Sequence, residues 1–291
     1  MMSTTSSSLL GACSPDFTLL SLNAFGVPFF LSLGRLGRLA RALNHLEPQV
    51  ICLQEVQQHA YIPLLQRSLS GHPHQAFFLN PRGYAPKGGL LTASSLPVGR
   101  AGFSPFPQRG HPWSIGFSDW ALYKGVLMAE LEWQGQQIII LNTHLHANYS
   151  GDWRPENGFA RLQYAQIQFL ATLVQVQPPE ALVILCGDFN FPRTCWLYTE
   201  LVRQGDLVDP LADDPRPSYR PFPLVSSRWS LRLDFVLYRL PQGQDLDIKA
   251  DILPLDHAPA RSRFHQFLTD HCALTLSVRG KNEPVVAASK K

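Results

Sequence analysis

Along this chain, one apolar run after another stops at a residue able to bind a cation, hold an anion or move a proton. Phe17 to Phe25, FTLLSLNAF, carries Asn23 among apolar neighbours, and Val50 to Leu53 is followed at once by Gln54 and Glu55. Gln136 to Leu141 delivers Asn142, Thr143 and His144, with His146 two residues on. Leu182 to Cys186 stops at Gly187 and delivers Asp188 and Asn190. Leu231 to Tyr238 holds Asp234 in an apolar pattern, and Thr269, Asp270 and His271 precede the run CALTLSV. Each has a bland account: an Asx turn at Asn23 or Asp188, a solvated Glu55 at a strand end, a structural His144. The repetition suits a cation centre with oxygen ligands better than a set of unrelated turns. A buried Asp234 needs a partner, and beside Asp270 and His271 it supplies what a general base requires, an imidazole and a carboxylate to orient it.

The elements that must position these residues are short, branched apolar runs, which suit strands covered on both faces. Gly187 lets the backbone turn or approach another group, and Asp188 and Asn190, two apart, share one side of a strand end. Leu36, Leu39, Leu43 and Leu46 recur at helical steps, predicting an amphipathic helix over Leu33 to Leu46 with solvated arginines and a surface His45, stopped by Pro48. Pro155 to Gln177 and Thr194 to Arg203 read as further helices, Gly88 to Pro97 as a strand and loop, and Pro210 to Pro223 as a Pro-rich loop. Val126 to Glu132 and Gln136 to Leu141 are strands joined by a turn at Gly135. From Phe103 to Tyr123, six aromatics alternate with Pro105, Pro107 and Pro112, predicting an irregular loop that ends at Asp119 and Lys124. Its aromatics either pack locally or meet a lipid or a base. Lys124, next to Gly125, could set a cation against a phosphate.

With 291 residues and 45% hydrophobic content, the chain can bury a substantial core. A net charge of +3 gives no bulk basic signature of a nucleic-acid binder. The five cysteines share no CxxC spacing, so no zinc site or disulfide framework emerges, and reduced thiols are expected. No stretch approaches about 18 uninterrupted apolar residues. The expectation is a soluble, cytoplasmic protein with a flexible N-terminus over 1–14 and a frayed tail over 281–291.

The motifs QEV, NTHL, GDFN, RLDFV and TDH, in that order and spanning most of the chain, resemble the endonuclease/exonuclease/phosphatase superfamily. The resemblance implies one catalytic domain over 15–280 with an α/β (α+β) fold: a four-layer αββα sandwich, two mixed β-sheets packed face to face with helices outside. It implies Glu55 as the main Mg²⁺ ligand, with Asn23 beside it, Asp270 close to the same centre, and Mn²⁺ as the substitute cation. Asp188 would position the attacking water and Asn190 would hold the phosphate. His271, paired with Asp234, would be the general base or a phosphate-binding imidazole, and His144 would donate to a phosphate oxygen. Phosphodiester hydrolysis needs such a set because charge grows in its transition state, where a hard cation and positioned donors offset it.

Asp119, Trp120 and Lys124, followed by NTHLHANY, resemble the neutral sphingomyelinase branch. This implies a lipid head-group phosphodiester as substrate, Asp119 and Lys124 as substrate-binding residues, and peripheral membrane contact through the 103–124 loop. No transmembrane tail is read, so firm attachment is not expected. The alternative is a Mg²⁺-dependent DNA or RNA nuclease whose loop aromatics stack on bases. An idle binding module is a third reading, disfavoured because every polar position the chemistry requires is filled. An apolar rim beside Glu55 and Asp188 would favour lipid, and a positive groove nucleic acid.

Overall fold

The computed structural model describes residues 16–28, 32–81, 83–110, 117–220, 230–255 and 268–280. The expectations for 1–14 and 281–291 lie outside the described residues.

Strands β1 (Phe17–Asn23), β2 (Val50–Gln54), β7 (Gln136–His144) and β8 (Leu182–Asp188) carry the two-faced burial that their continuous apolar runs demand. Their side chains alternate with period two. Leu19, Val50, Cys52, Ile138, Ile140, Ile184 and Cys186 meet in a core between two sheets. Leu20, Leu22, Ile51 and Leu53 point outward against helices α1 (Ser32–Asn44) and α2 (Tyr61–Ser68). On the opposite side Ile139, Leu141, Val183 and Leu185 point outward against α4 (Gly158–Gln175) and α5 (Trp196–Gly205). Helix, sheet, sheet and helix are the four layers that the resemblance implied.

The remaining elements are β3 (His74–Ala76), β4 (Leu91–Ser94), β5 (Val98–Pro105), α3 (Phe117–Ala121), β6 (Gly125–Trp133), β9 (Asp234–Arg239), β10 (Leu246–Leu253) and β11 (Ala273–Gly280). One sheet runs β10-β11-β1-β2-β4-β3 and the other β5-β6-β7-β8-β9. Both are mixed. Each has one parallel pair, β1 with β2 and β7 with β8, among antiparallel neighbours.

Register decides what the strand ends present. His144 pairs with Asp188, and Asp188 with Asp234, so three polar residues stand abreast on β7, β8 and β9. In the other sheet Asn23 pairs with Gln54, one residue before Glu55. Just behind these ends Gln54 Nε2 donates to Asn142 Oδ1 at 2.8 Å, and Asn142 Nδ2 donates to the Leu53 and Leu91 carbonyls, both at 3.2 Å. This buried link ties β2 to β7 where the two sheets must agree to within a bond length.

Several expectations are corrected. The segment from Phe103 to Lys124 is not one loop: Phe103 lies in β5 opposite Leu127, Pro105 ends that strand, and residues 117–121 form α3. A proline at the end of an edge strand breaks no ladder, which is why proline content misled. Trp113 lies outside the described residues. Helix α1 stops at Asn44, leaving Leu46 exposed, and Arg35 is buried rather than solvated. Helix α2 and strands β3 and β10 were not anticipated; β10 carries charges along an exposed edge, as edge strands do.

Candidate metal centre and catalytic cleft

The ends of β1, β2, β7 and β8 and the starts of β9 and β11 converge, bringing most of the expected residues into one cleft of about 750 Å³. Glu55, His144, Asp188, Asn190, Asp270, His271 and Asp119 line it. Backbone conformation is committed to this arrangement. Glu55 and Asn190 both adopt a left-handed conformation, with φ of 55°, which costs a non-glycine residue free energy and clusters at functional sites. Gly187 cannot be replaced: an added Cβ would lie 1.9 Å from the Thr143 carbonyl oxygen.

The two carboxylate oxygens of Asp188 have different partners. Asp188 Oδ1 accepts the Asn190 backbone N–H at 2.9 Å, the turn-type bond. Oδ2 faces the centre, where Asn23 Nδ2 donates to it at 2.9 Å and to Glu55 Oε1 at 3.1 Å. The amide nitrogen of Asn23, not its oxygen, therefore bridges the two carboxylates, and Oδ1 accepts the Phe25 N–H at 3.0 Å. Asn190 Nδ2 donates to the Leu145 carbonyl at 3.0 Å.

His271 and Asp234 are paired: Nδ1 donates to Oδ2 at 2.7 Å. Ser218 Oγ donates to that same oxygen at 2.6 Å and itself accepts the Leu233 and Asp234 N–H groups. The other ring nitrogen, Nε2, stands 3.9 Å from both Asp188 Oδ2 and Asp270 Oδ1, a separation that one bridging water can span. Burial opposes charge on His271, but Asp234, Asp270 and Asp188 outweigh it and raise its pKa well above the ordinary imidazole value.

Burial raises the pKa of the acidic residues together. Burial, with Asp234 adding repulsion, pushes the Asp188 carboxyl up to about 6. Burial and Glu55 do the same to Asp270, also to about 6, and Asp270 Oδ1 is buried with no hydrogen-bond partner. Glu55 is likewise raised, chiefly by burial. Carboxylates in this state favour a cation that would restore their ionisation. Ligating atoms of Glu55, His144 and Asp188, and of Asp188, Asp234 and His271, lie within 4.8 Å of one another. An oxygen-rich set of this kind fits a hard divalent ion.

Asp119 and Lys124 reach the site from behind. Lys124 is 1% exposed, and its ammonium lies 2.7 Å from Asp119 Oδ1 while donating to the Leu145 carbonyl at 2.7 Å and to His144 Nε2 at 3.0 Å. An ammonium has three donors, and all three are committed. The direct phosphate contact expected of Lys124 is thus replaced by a bond to the imidazole. Because His144 Nε2 accepts, its proton sits on Nδ1, and Nδ1 is buried with no hydrogen-bond partner. Burial holds the ring neutral, its pKa well below the ordinary value. His144 therefore carries a buried N–H without a partner, while Nε2, the nitrogen on the side of the acidic centre, lies 3.7 Å from Asp188 Oδ2.

Three residues position the site although their sequence context assigns them no such role. Ser218 lies in a Pro-rich stretch without periodicity. Thr269 Oγ1 donates to the Asn23 carbonyl at 2.6 Å, joining β1 to the TDH motif. Arg35 donates to the Ala24 carbonyl at 2.8 Å and to those of Phe25 and Leu268. Arg35 had a legible signal: it falls four residues before Leu39 and eight before Leu43, on the apolar stripe.

Around the acidic residues the cleft is lined by Phe25, Val27, Tyr149, Trp153, Tyr219, Leu231 and Leu233, with the uncharged polar residues Gln57, Asn148 and Ser150 among them. Among the described residues no lysine or arginine lines it.

The class that fold and site define is an α/β sandwich with a cation-ready acidic centre at one end of its two sheets. The chain belongs to the Endonuclease/Exonuclease/phosphatase family, whose profile matches residues 20–271. It is 26% identical over 297 residues to human sphingomyelin phosphodiesterase 2, covering 93% of this chain and 67% of that protein. It spans less than half of two other curated relatives, from Drosophila melanogaster and Schizosaccharomyces pombe. Among solved structures, sphingomyelinase C from Streptomyces griseocarneus superposes with a TM-score of 0.72 at 19% identity, over 91% of this chain and 99% of that one. A Staphylococcus aureus beta toxin variant with bound magnesium ions does so with a TM-score of 0.70 at 14% identity, over 92% and 100%. At these identities the two structures speak for the fold.

Proposed function

We propose that this chain is a Mg²⁺-dependent phosphodiesterase of sphingomyelinase type, cleaving a lipid phosphodiester to release phosphocholine or a related head group. The observation that carries this reading is the contrast between an acidic, imidazole-lined centre and an apolar, aromatic rim. A nuclease must track a polyanion and wants basic walls. This rim instead suits acyl chains and, through Tyr149, Trp153 and Tyr219, a quaternary ammonium held by cation–π attraction. Similarity to human sphingomyelin phosphodiesterase 2 points the same way.

Glu55 and Asp270, with Asn23 if its amide turns, would hold the cation, which supplies positive charge against the diester and its transition state. His144 would donate to a non-bridging phosphate oxygen, and Asn190 would support the phosphate from the same wall. Asp188 Oδ2 and His271 Nε2 hold the attacking water between them. With His271 Nδ1–H fixed on Asp234, Nε2 is the atom that receives the water's proton. Offsetting the surrounding carboxylates lowers the raised pKa of His271 toward the range where Nε2 can act as a base.

We infer lipid contact at the rim, where Tyr149 is 42% exposed, beside the peripheral contact expected of the 103–124 segment. There Phe106 is buried, and Phe103 stacks on Tyr123 with ring centroids 6.3 Å apart. The thiols of Cys52, Cys186 and Cys195, outside any disulfide, fit a reducing compartment, the cytoplasm. The test is an assay of the purified protein on sphingomyelin vesicles, lysophospholipid and DNA, each with Mg²⁺ and with EDTA. Head-group release that EDTA abolishes is expected. Cleavage of DNA alone overturns the lipid reading, and turnover indifferent to EDTA overturns the metal.

A further inference from the structure

A second pocket, of about 730 Å³, shares no lining residue with the catalytic cleft. Its walls come from residues 107–110, after β5, from His146 and from the start of α4. Among the described lining residues two are arginines, Arg109 and Arg161, and none is acidic. Arg109 is held over the Tyr123 ring at 4.2 Å, and Arg161 Nε donates to the Pro155 carbonyl at 3.2 Å. The N-terminus of the 18-residue helix α4 opens here at Asn157 and Gly158, adding the partial positive charge of a helix start.

A positive wall alone would say little. The second observation is His146, which is 2% exposed. Its Nδ1 lies 2.9 Å from the Ala147 carbonyl, so the proton sits there and Nε2 is left an acceptor. That nitrogen is buried without a hydrogen-bond partner. Gly110 passes close beside it, and an added Cβ there would come within 2.8 Å of Nε2. Whatever fills the pocket must donate one hydrogen bond to His146 and accept several from guanidinium groups. A protonated phosphate monoester does both, whereas a diester or a sulfate ester has no proton to give. Phe159 and Leu162 give the pocket an apolar side as well.

We propose that this pocket binds an organic phosphate monoester: its P–OH donates to His146 Nε2, its anionic oxygens face Arg109, Arg161 and the start of α4, and its organic part lies on Phe159 and Leu162. The bound ligand bears on catalysis through contacts already present. His146 Nδ1 is 3.4 Å from Asp119 Oδ2, and Asp119 holds the lysine that holds His144.

Calorimetric titration of the full chain in EDTA tests this without reading turnover, so the outcome is independent of the catalytic proposal. The probes are glycerol 3-phosphate as a free monoester, dihexanoyl phosphatidic acid below its micelle concentration as a lipid monoester, and methyl sulfate as the proton-free control. One-to-one binding of a monoester is expected, weakened at least about tenfold by Arg109→Gln with Arg161→Gln, and unchanged by Glu55→Gln. Preference for one monoester identifies the source as free or lipid. Three results overturn the assignment: neither monoester binds, methyl sulfate binds as well, or binding survives the arginine changes and is lost with Glu55→Gln.

Discussion

Lys124→Met removes the one ammonium that holds Asp119 and His144 together while keeping most of the side-chain volume. Burial pushes the Asp119 carboxyl up, but Lys124, then His146 and His144, outweigh it and hold the group at about 2. Relative to an ordinary 3.8, that depression corresponds to about 2 kcal/mol of native-state stabilisation. Stranding one member of a buried pair costs more, about 3–5 kcal/mol. Asp119 keeps the Ala147 N–H at 2.9 Å and the Tyr149 hydroxyl at 3.2 Å, so the lower end of that range is expected from urea unfolding. The double variant with Asp119→Asn should recover part of this, leaving a coupling energy of about 2 kcal/mol. The pH sign follows from a depressed carboxyl. Its contribution is complete above pH ~4 and disappears as pH falls toward 2, and the double variant lacks that loss. For activity, His144 loses the bond that sets its tautomer, and turnover should fall about 10²–10³-fold, the usual cost of one transition-state donor. The fall should be the same for every diester, because Lys124 touches none of them. Unfolding within about 1 kcal/mol of the parent, together with unchanged turnover, would refute the argument that this ammonium organises the site.

Four other outcomes are expected. His271→Ala abolishes turnover and, by stranding the buried Asp234, lowers stability by about 3 kcal/mol in urea unfolding while the circular dichroism spectrum of the folded chain is retained; near-normal turnover removes the ring from its role. Glu55→Gln shifts the Mg²⁺ dependence of activity to at least about tenfold higher concentration, and an unshifted titration means the cation is held elsewhere. Ser218→Ala takes one of two donors from Asp234 Oδ2 and should lower stability by about 1–2 kcal/mol and turnover about tenfold, measured by unfolding and initial rates. Gly187→Ala drives a Cβ into the Thr143 carbonyl and should cost more than about 3 kcal/mol, seen as loss of soluble protein or of a cooperative melt.

What could be read from sequence and what could not divides along a physical line. Strands buried on both faces must be apolar throughout, so β1, β2, β7 and β8 announce themselves, and so does the polar residue that ends each. The helices α1, α4 and α5 are legible for the same reason, through their one-sided stripes. Register is another matter. Nothing local says that His144, Asp188 and Asp234 stand abreast, because that depends on which strands pair and with what offset, quantities that only the assembled sheet defines. Lys124 shows the difference most clearly. Its neighbourhood in sequence suggests a cation for phosphate, yet its function follows from a count of donors that is meaningful only in three dimensions: three protons, three fixed acceptors, none left. Ser218 and Arg35 make the complementary case. One has no pattern to reveal it, and the other sits on an apolar stripe where a charged residue costs free energy unless carbonyls meet it. Arg35 is met by three, contributed by the end of β1 and the start of the TDH motif, the two segments that carry Asn23 and Asp270. A buried guanidinium on the back of the metal centre thus holds in place the chain segments whose carboxylates and amide the front must present.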